Sequence, residues 1–144
     1  MAGIDADTFW KRHENPSSVW WFILMYPIIV LTLYRRSRTL GGCLLASLPV
    51  NLFVVSPPKS DDAWATRVVR GEQVWLKQGV LSSTGSLLLT TLGGVVHLYT
   101  FRAALHRRPV RTAVGTVVSL ILLLLFFDQM AGLYERTRES EDES

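Results

Sequence analysis

Residues 112–127 read TAVGTVVSLILLLLFF, and the chain continues through residue 135 as DQMAGLYE. No charge interrupts the first part, which Pro109–Val110 extends backward toward the roughly 20 apolar residues that a helix needs to cross a hydrocarbon layer. A helix on a water-soluble core would show polar residues along one face over this length, and this one does not. Asp128 marks an exit, and the stretch after it is expected to be the same helix emerging from the layer, as far as about Glu135.

Working backward, three more uncharged blocks precede it: Val19–Tyr34, Thr39–Ser56 and Gln78–Phe101. Together they predict an all-α fold, an integral membrane four-helix bundle with spans at about 17–34, 39–56, 80–101 and 110–128. The domain is expected to cover 1–138, with 139–144 an acidic disordered tail. The first block is no cleavable leader, since Arg35, Arg36 and Arg38 follow it and no small-x-small site closes it. Cys43 lies within the second block, cannot pair internally and is expected to be a small buried residue.

The charges sort by side. Four spans put the connections 35–38 and 102–111 on one side, with Arg35, Arg36, Arg38, Arg102, Arg107, Arg108 and Arg111 and no carboxylate. The other side holds all 12 Asp and Glu and the remaining Lys and Arg of a total of 15. The density of arginine in the two short turns places them in the cytoplasm and both termini outside. Nucleic acid is not an expected partner, because the arginines are split between two tight turns and no recognition module is present.

Local signals refine the spans. Asn15-Pro16 is a helix start, with Asn as cap and Pro in the first turn. Ile4, Thr8, Phe9 and Trp10 form a short amphipathic opening. Asn51 is expected to bond between helices, and the glycines, serines and threonines of the third span allow close packing. His97 is expected to bond a neighbour.

Between the second and third spans lies DDAWATRVVRGEQVW, residues 61–75. Ser60 is a candidate cap, with Asp61 and Asp62 in the first turn. At 100° per residue, Trp64, Val68, Gly71 and Trp75 align, Ala65, Val69 and Leu76 lie beside them, and Arg67, Arg70 and Lys77 gather opposite. This predicts an interfacial amphipathic helix over 61–76, its tryptophans inward and its basic face toward water and headgroups. Glu72 falls inside the apolar arc, where a carboxylate must find a donor or take a proton; Arg12, His13 and Tyr134 are the candidate donors. Gly71 either permits a close backbone approach or breaks the helix, leaving Glu72 solvated.

RHENPSSVW (12–20), DDAWATRVVRGEQVW (61–75) and FFDQMAGLYER (126–136) together resemble a family of small integral membrane proteins known only as a domain of unknown function and common in haloarchaea. The resemblance covers most of the chain. It rests on Arg12, His13, Asn15, Pro16, Ser18 and Trp20, on Trp64, Ala65, Gly71, Glu72 and Trp75, and on Asp128, Met130, Leu133, Tyr134 and Glu135. The family usually has Arg where Gln129 stands, and histidines soon after the Gly-Glu-x-x-Trp segment, where Gln78–Gly85 has none. That departure argues against a metal site. The resemblance implies a multi-pass protein of an archaeal cell membrane and supplies no activity.

All three segments fall on the acidic side of the expected topology. They define a candidate polar site of Arg12, His13, Asn15, Trp64, Arg67, Glu72, Trp75, Asp128, Tyr134 and Glu135, with Asp128 expected to meet Arg12 or Arg67. The sequence shows no nucleophile–base pair, phosphate loop or metal-ligand spacing, so no catalytic residue, metal or cofactor is assigned. The expected role is a non-enzymatic accessory or partner- and lipid-binding protein acting through this extracytoplasmic face. Its partners would be the bilayer and a membrane protein or a second copy. An enzyme acting on lipid headgroups and a small transporter are the alternatives.

Overall fold

The computed structural model describes residues 6–54, 62–81 and 83–143, without the side chains of 6–9 and 50–54. All elements among them are helices: α1 (Ala6–His13), α2 (Pro16–Arg35), α3 (Arg38–Val54), α4 (Trp64–Gln78), α5 (Thr84–Leu105) and α6 (Pro109–Asp142). Three of these, α2, α5 and α6, are long and apolar enough to cross a membrane; α3 has 17 residues.

The helix starts follow local chemistry. Asn15 caps α2, its side-chain oxygen accepting from the Ser17 amide at 2.8 Å, and Pro16 follows where no amide is needed. Both arginine turns close in one way. Arg36 and Arg107 each take left-handed backbone (φ 53°), and the amide after each reaches back to a carbonyl five residues earlier, Ser37 to Thr32 and Arg108 to Ala103. This motif usually ends on glycine, so each turn holds an arginine at a backbone cost of about 1 kcal/mol.

Helix directions follow from contacts. Arg36 Nη2 donates to the Leu105 carbonyl at 2.8 Å, joining the C-terminal ends of α2 and α5, and Tyr26 packs on His97 and Phe101 halfway along. The two helices are therefore parallel, and α6, joined to α5 by a tight turn, is antiparallel to both. Parallel α2 and α5 require a return between them. α3 supplies it, about 25 Å long by its rise per residue, and α4 starts beside Trp20, back near the beginning of α2.

The outer surface is apolar where that of a water-soluble bundle is polar. Leu24, Leu45, Leu88, Leu98 and Val110 are each more than 60% exposed, while Ser18, Thr66, Ser86, Thr100, Thr112 and Ser119 are buried beside core residues such as Val19, Ile23 and Val30. Gly115 of α6 lies against Thr100 of α5, and the Thr100 and Ser119 hydroxyls share a buried hydrogen bond at 3.4 Å. Small residues let these backbones approach, as the third block suggested.

α4 packs along α6 in the opposite direction: Trp75 meets Phe126, Gly71 meets Met130 and Arg67 pairs with Glu135. The Trp64 ring reaches back to Phe127. At Gly71 the helices approach closely, and a Cβ would overlap the Met130 backbone. Val68, Trp75, Met130 and Ala131 form one core cluster there; Ala65 and Val69 join Val19 and Ile23 of α2 in another.

Several expectations need correction. The central helix begins at Trp64, with Asp62 ahead of it and no side-chain cap on Ala63; Ser60 and Asp61 lie outside the described residues. Gly71 does not break it. Residues 139–142, expected to be disordered, continue α6. No proline or glycine follows Gly132, and Arg138 lies three and four residues before Glu141 and Asp142, a spacing that supports helix. Cys43 is exposed on α3, which has no buried side chain among those described and packs mainly against α2. Ile4 and the side chains of Thr8, Phe9 and Asn51 lie outside the described residues.

Candidate functional site

At the end of the bundle where α2 begins, α1, α4 and the emergent part of α6 meet around Glu14. Thr66, Arg70 and Gln73 occupy one stripe of α4 at i, i+4 and i+7, and all three address this residue. The Thr66 hydroxyl donates to the Glu14 carbonyl at 2.9 Å, Arg70 Nε to Oε2 at 3.3 Å and Gln73 Nε2 to Oε1 at 2.9 Å. The Glu14 side chain is 14% exposed and that of Arg70 24%. Arg70 also donates to the Tyr134 hydroxyl at 3.1 Å, tying the network to α6. Farther out, Arg67 pairs with Glu135.

The basic face of α4 is thus covered by Glu14 and α6 rather than turned to water; only Lys77 stays exposed. Asp128 meets neither Arg12 nor Arg67. It accepts from the Trp64 indole at 3.4 Å, while Arg67 is taken by Glu135 one to two turns beyond. Trp75 faces inward, being 9% exposed and packed edge-on to Phe126.

His13 sits between Trp10 and Phe22, with Nδ1 at 3.4 Å from the Ser18 hydroxyl. Burial pushes its pKa below the usual imidazole value, against the pull of adjacent Glu14. Asn15 serves as the α2 cap, and Arg12 is half-buried at the end of α1.

Glu72 is the exception in this set. It lies on the inner arc of α4, between Val68, Val69 and Trp75, with no hydrogen bond or ion pair to any described residue. None of its expected donors reaches it; Tyr134 lies against Arg70, from which it accepts, and His13 against Ser18. Desolvation without a compensating cation raises its pKa to about 7. Among the described residues, three polar atoms of α4 and α6 are fully buried without partners: Arg67 Nε, Trp75 Nε1 and Gln129 Oε1.

The structure brings together Trp64 with Asp128, Arg67 with Glu135, and Tyr134 with the Arg70–Glu14 pair. It does not gather His13, Glu72, Asp128 and Glu135 around one cavity; none of the three cavities described is lined by them. Two of these are apolar clefts that meet at His97 of α5, whose Nδ1 donates to the Gly93 carbonyl at 2.5 Å. Among the described residues no group of three or more His, Cys, Asp or Glu is placed to hold a metal ion.

Sequence reasoning missed Glu14, the hub of the site. Its position just before a helix cap reads as a charge at a helix start. The Thr66-Arg70-Gln73 stripe was the available signal, since three hydrogen-bonding groups on one face need a shared partner.

A family model described as "Family of unknown function (DUF6653)" matches residues 1–144. No curated protein and no solved structure matches the chain.

Proposed function

The chain belongs to the DUF6653 family, and we propose that it is a four-span cell-membrane protein that works by binding. In this reading it has no reaction of its own, and its polar end receives a membrane protein partner or a lipid headgroup. The apolar exterior supports insertion, because large aliphatic side chains face outward along α2, α5 and α6, where a water-soluble bundle would be polar. The return path of α3 supports a fourth crossing. α4 would then rest at the extracytoplasmic interface, and the archaeal membrane implied by the resemblance stays part of the reading.

One observation carries the binding role: Glu72 is desolvated on a firmly anchored helix and has no donor among the described residues. The Glu14 network holds α4 in place, so Glu72 stays half-buried on its inner arc. A partly desolvated carboxylate without a donor is disfavoured in its charged form. An incoming cation or N–H donor would relieve that cost. The scattering of the other carboxylates into separate pairs disfavours the enzyme alternative.

The test is capture from native membranes into polymer discs, followed by mass spectrometry of co-purified protein and lipid, for wild type and Glu72→Gln. A stoichiometric companion held by wild type and depleted by the substitution is the expected result. A retained lipid that is chemically turned over would shift the assignment to an enzyme. Equal recovery with both proteins would overturn the role given to Glu72.

A further inference from the structure

We propose that the opposite end of the bundle holds a binding site for a phosphate group, built into the α5–α6 turn. Tyr99, Arg102, Ala103 and His106 fall at i, i+3, i+4 and i+7, one face of the last turns of α5 and its cap. Arg108 and Arg111, from the cap and first turn of α6, close the other side, and the six residues line a cavity of about 320 Å³. Ala103, 4% exposed, forms its floor.

The charge arrangement calls for an anion. Three arginines and a histidine face one small cavity, and neither arginine turn, 35–38 or 102–111, contains a carboxylate. No ion pair reaches Arg102, Arg108 or Arg111 among the described residues. Orienting a membrane protein needs only a count of positive residues near helix ends. It does not need them gathered around one hollow, where they repel each other. Guanidinium forks match phosphate oxygens in pairs of hydrogen bonds. The N-terminus of α6, which has no side-chain cap, adds the positive end of a 34-residue helix. Tyr99, half exposed beside the arginines, is placed where a lipid glycerol or a sugar would lie. Basic pockets between membrane helices bind anionic headgroups in this way, and a soluble phosphate ester offers the same group.

The site is separate from the polar end, so its test does not depend on the proposed partner. Full-length protein is placed in phosphatidylcholine nanodiscs containing phosphatidylglycerol, and retained lipid is read by native mass spectrometry. Wild type should keep phosphatidylglycerol selectively, and Arg102→Gln/Arg111→Gln should lose it by about tenfold or more. The control Arg35→Gln/Arg38→Gln removes the same charge from the same end outside the pocket, and should stay within about twofold of wild type. The single Arg108→Gln variant reads the same pocket with less charge removed, and circular dichroism confirms that all variants keep their helices. A second arm titrates inorganic phosphate and glycerol 3-phosphate into detergent-solubilised protein by calorimetry. Binding there that the pocket double abolishes identifies a soluble phosphate as the source; lipid retention alone identifies a headgroup. Failure of both probes to bind, or equal loss in the pocket and control doubles, would overturn the site.

Discussion

At the scale of single residues, three carboxylates on the same end of the molecule differ in what holds them. Glu14 is largely buried and accepts from Arg70 and Gln73, so Glu14→Ala should cost roughly 1–3 kcal/mol by stranding a half-buried guanidinium. Glu135 pairs with Arg67 at the surface, with its side chain 49% exposed, and Glu135→Ala should cost only about 0–1 kcal/mol. Unfolding in sodium dodecyl sulfate, followed by helicity, would check the order; equal losses would mean that Glu14 is not the hub. Glu72 has a different signature. Its pKa is raised from 4.5 to about 7 by desolvation, so the folded state holds a proton that the unfolded chain has already released. Its contribution is intact below about pH 4.5 and is lost as pH rises through about 7. Glu72→Gln should therefore match wild type at pH 4.5 and exceed it at pH 8, by at most about 3 kcal/mol for a shift of this size. A difference that does not change between those two pH values would show a solvated carboxylate. The apolar setting of Glu72 was legible from the helical wheel alone. Its lack of a donor was not, because it depends on where α1 and α6 place His13 and Tyr134, against Ser18 and Arg70.

At the scale of elements, the glycines separate close approach from open space. At Gly71 a Cβ would overlap the Met130 backbone, which cannot move without shifting α6, so Gly71→Ala should cost more than about 3 kcal/mol or prevent folding. Met130→Ala should not rescue it, since the obstacle is main chain. At Gly115 the neighbour is the Thr100 side chain, so Thr100→Ala should recover part of the loss from Gly115→Ala. Gly132, on the same helix as Gly115, meets nothing within 4 Å, and Gly132→Ala should be neutral or stabilising by about 0.5–1 kcal/mol. Thermal melts of the set in one detergent check all four statements, and a tolerated Gly71→Ala would contradict the close α4–α6 approach at Met130. The sequence anticipated the possibility of close approach at Gly71 but not its partner. An apolar arc on α4 says that something covers it; which stretch of α6 does so is decided by shape at Met130 and by where the two tryptophans lodge. The end of α6 was misjudged for a related reason. Acidic composition suggested disorder, whereas arginines spaced three and four residues from acids continue the helix.

At the scale of the whole molecule, the direction of each helix constrains the topology more tightly than hydropathy does. The arginine turns lie together, because Arg36 of the first bonds the Leu105 carbonyl at the second, and the Glu14 network lies where α2 begins. A chain whose α2 and α5 are parallel must travel back between them, so α3 runs back along the bundle even though it is the shortest of the apolar helices. If the bundle spans a bilayer, the turns 35–38 and 102–111 share one side, and α4 and the end of α6 share the other. In the proposed membrane reading, arginine density would put the former in the cytoplasm. In a Cys43→Ser background, impermeant maleimide added to intact cells should label Lys77→Cys and Thr137→Cys and leave Thr39→Cys and Arg107→Cys unlabelled until the cells are lysed. The opposite pattern would reverse the orientation and keep the architecture, moving the phosphate pocket outside and the Glu14 site inside. Labelling of both Thr39→Cys and Lys77→Cys in intact cells would remove α3 as a crossing. The parallel pairing of α2 and α5 would then fail with it, since no other segment between them is long enough to return the chain.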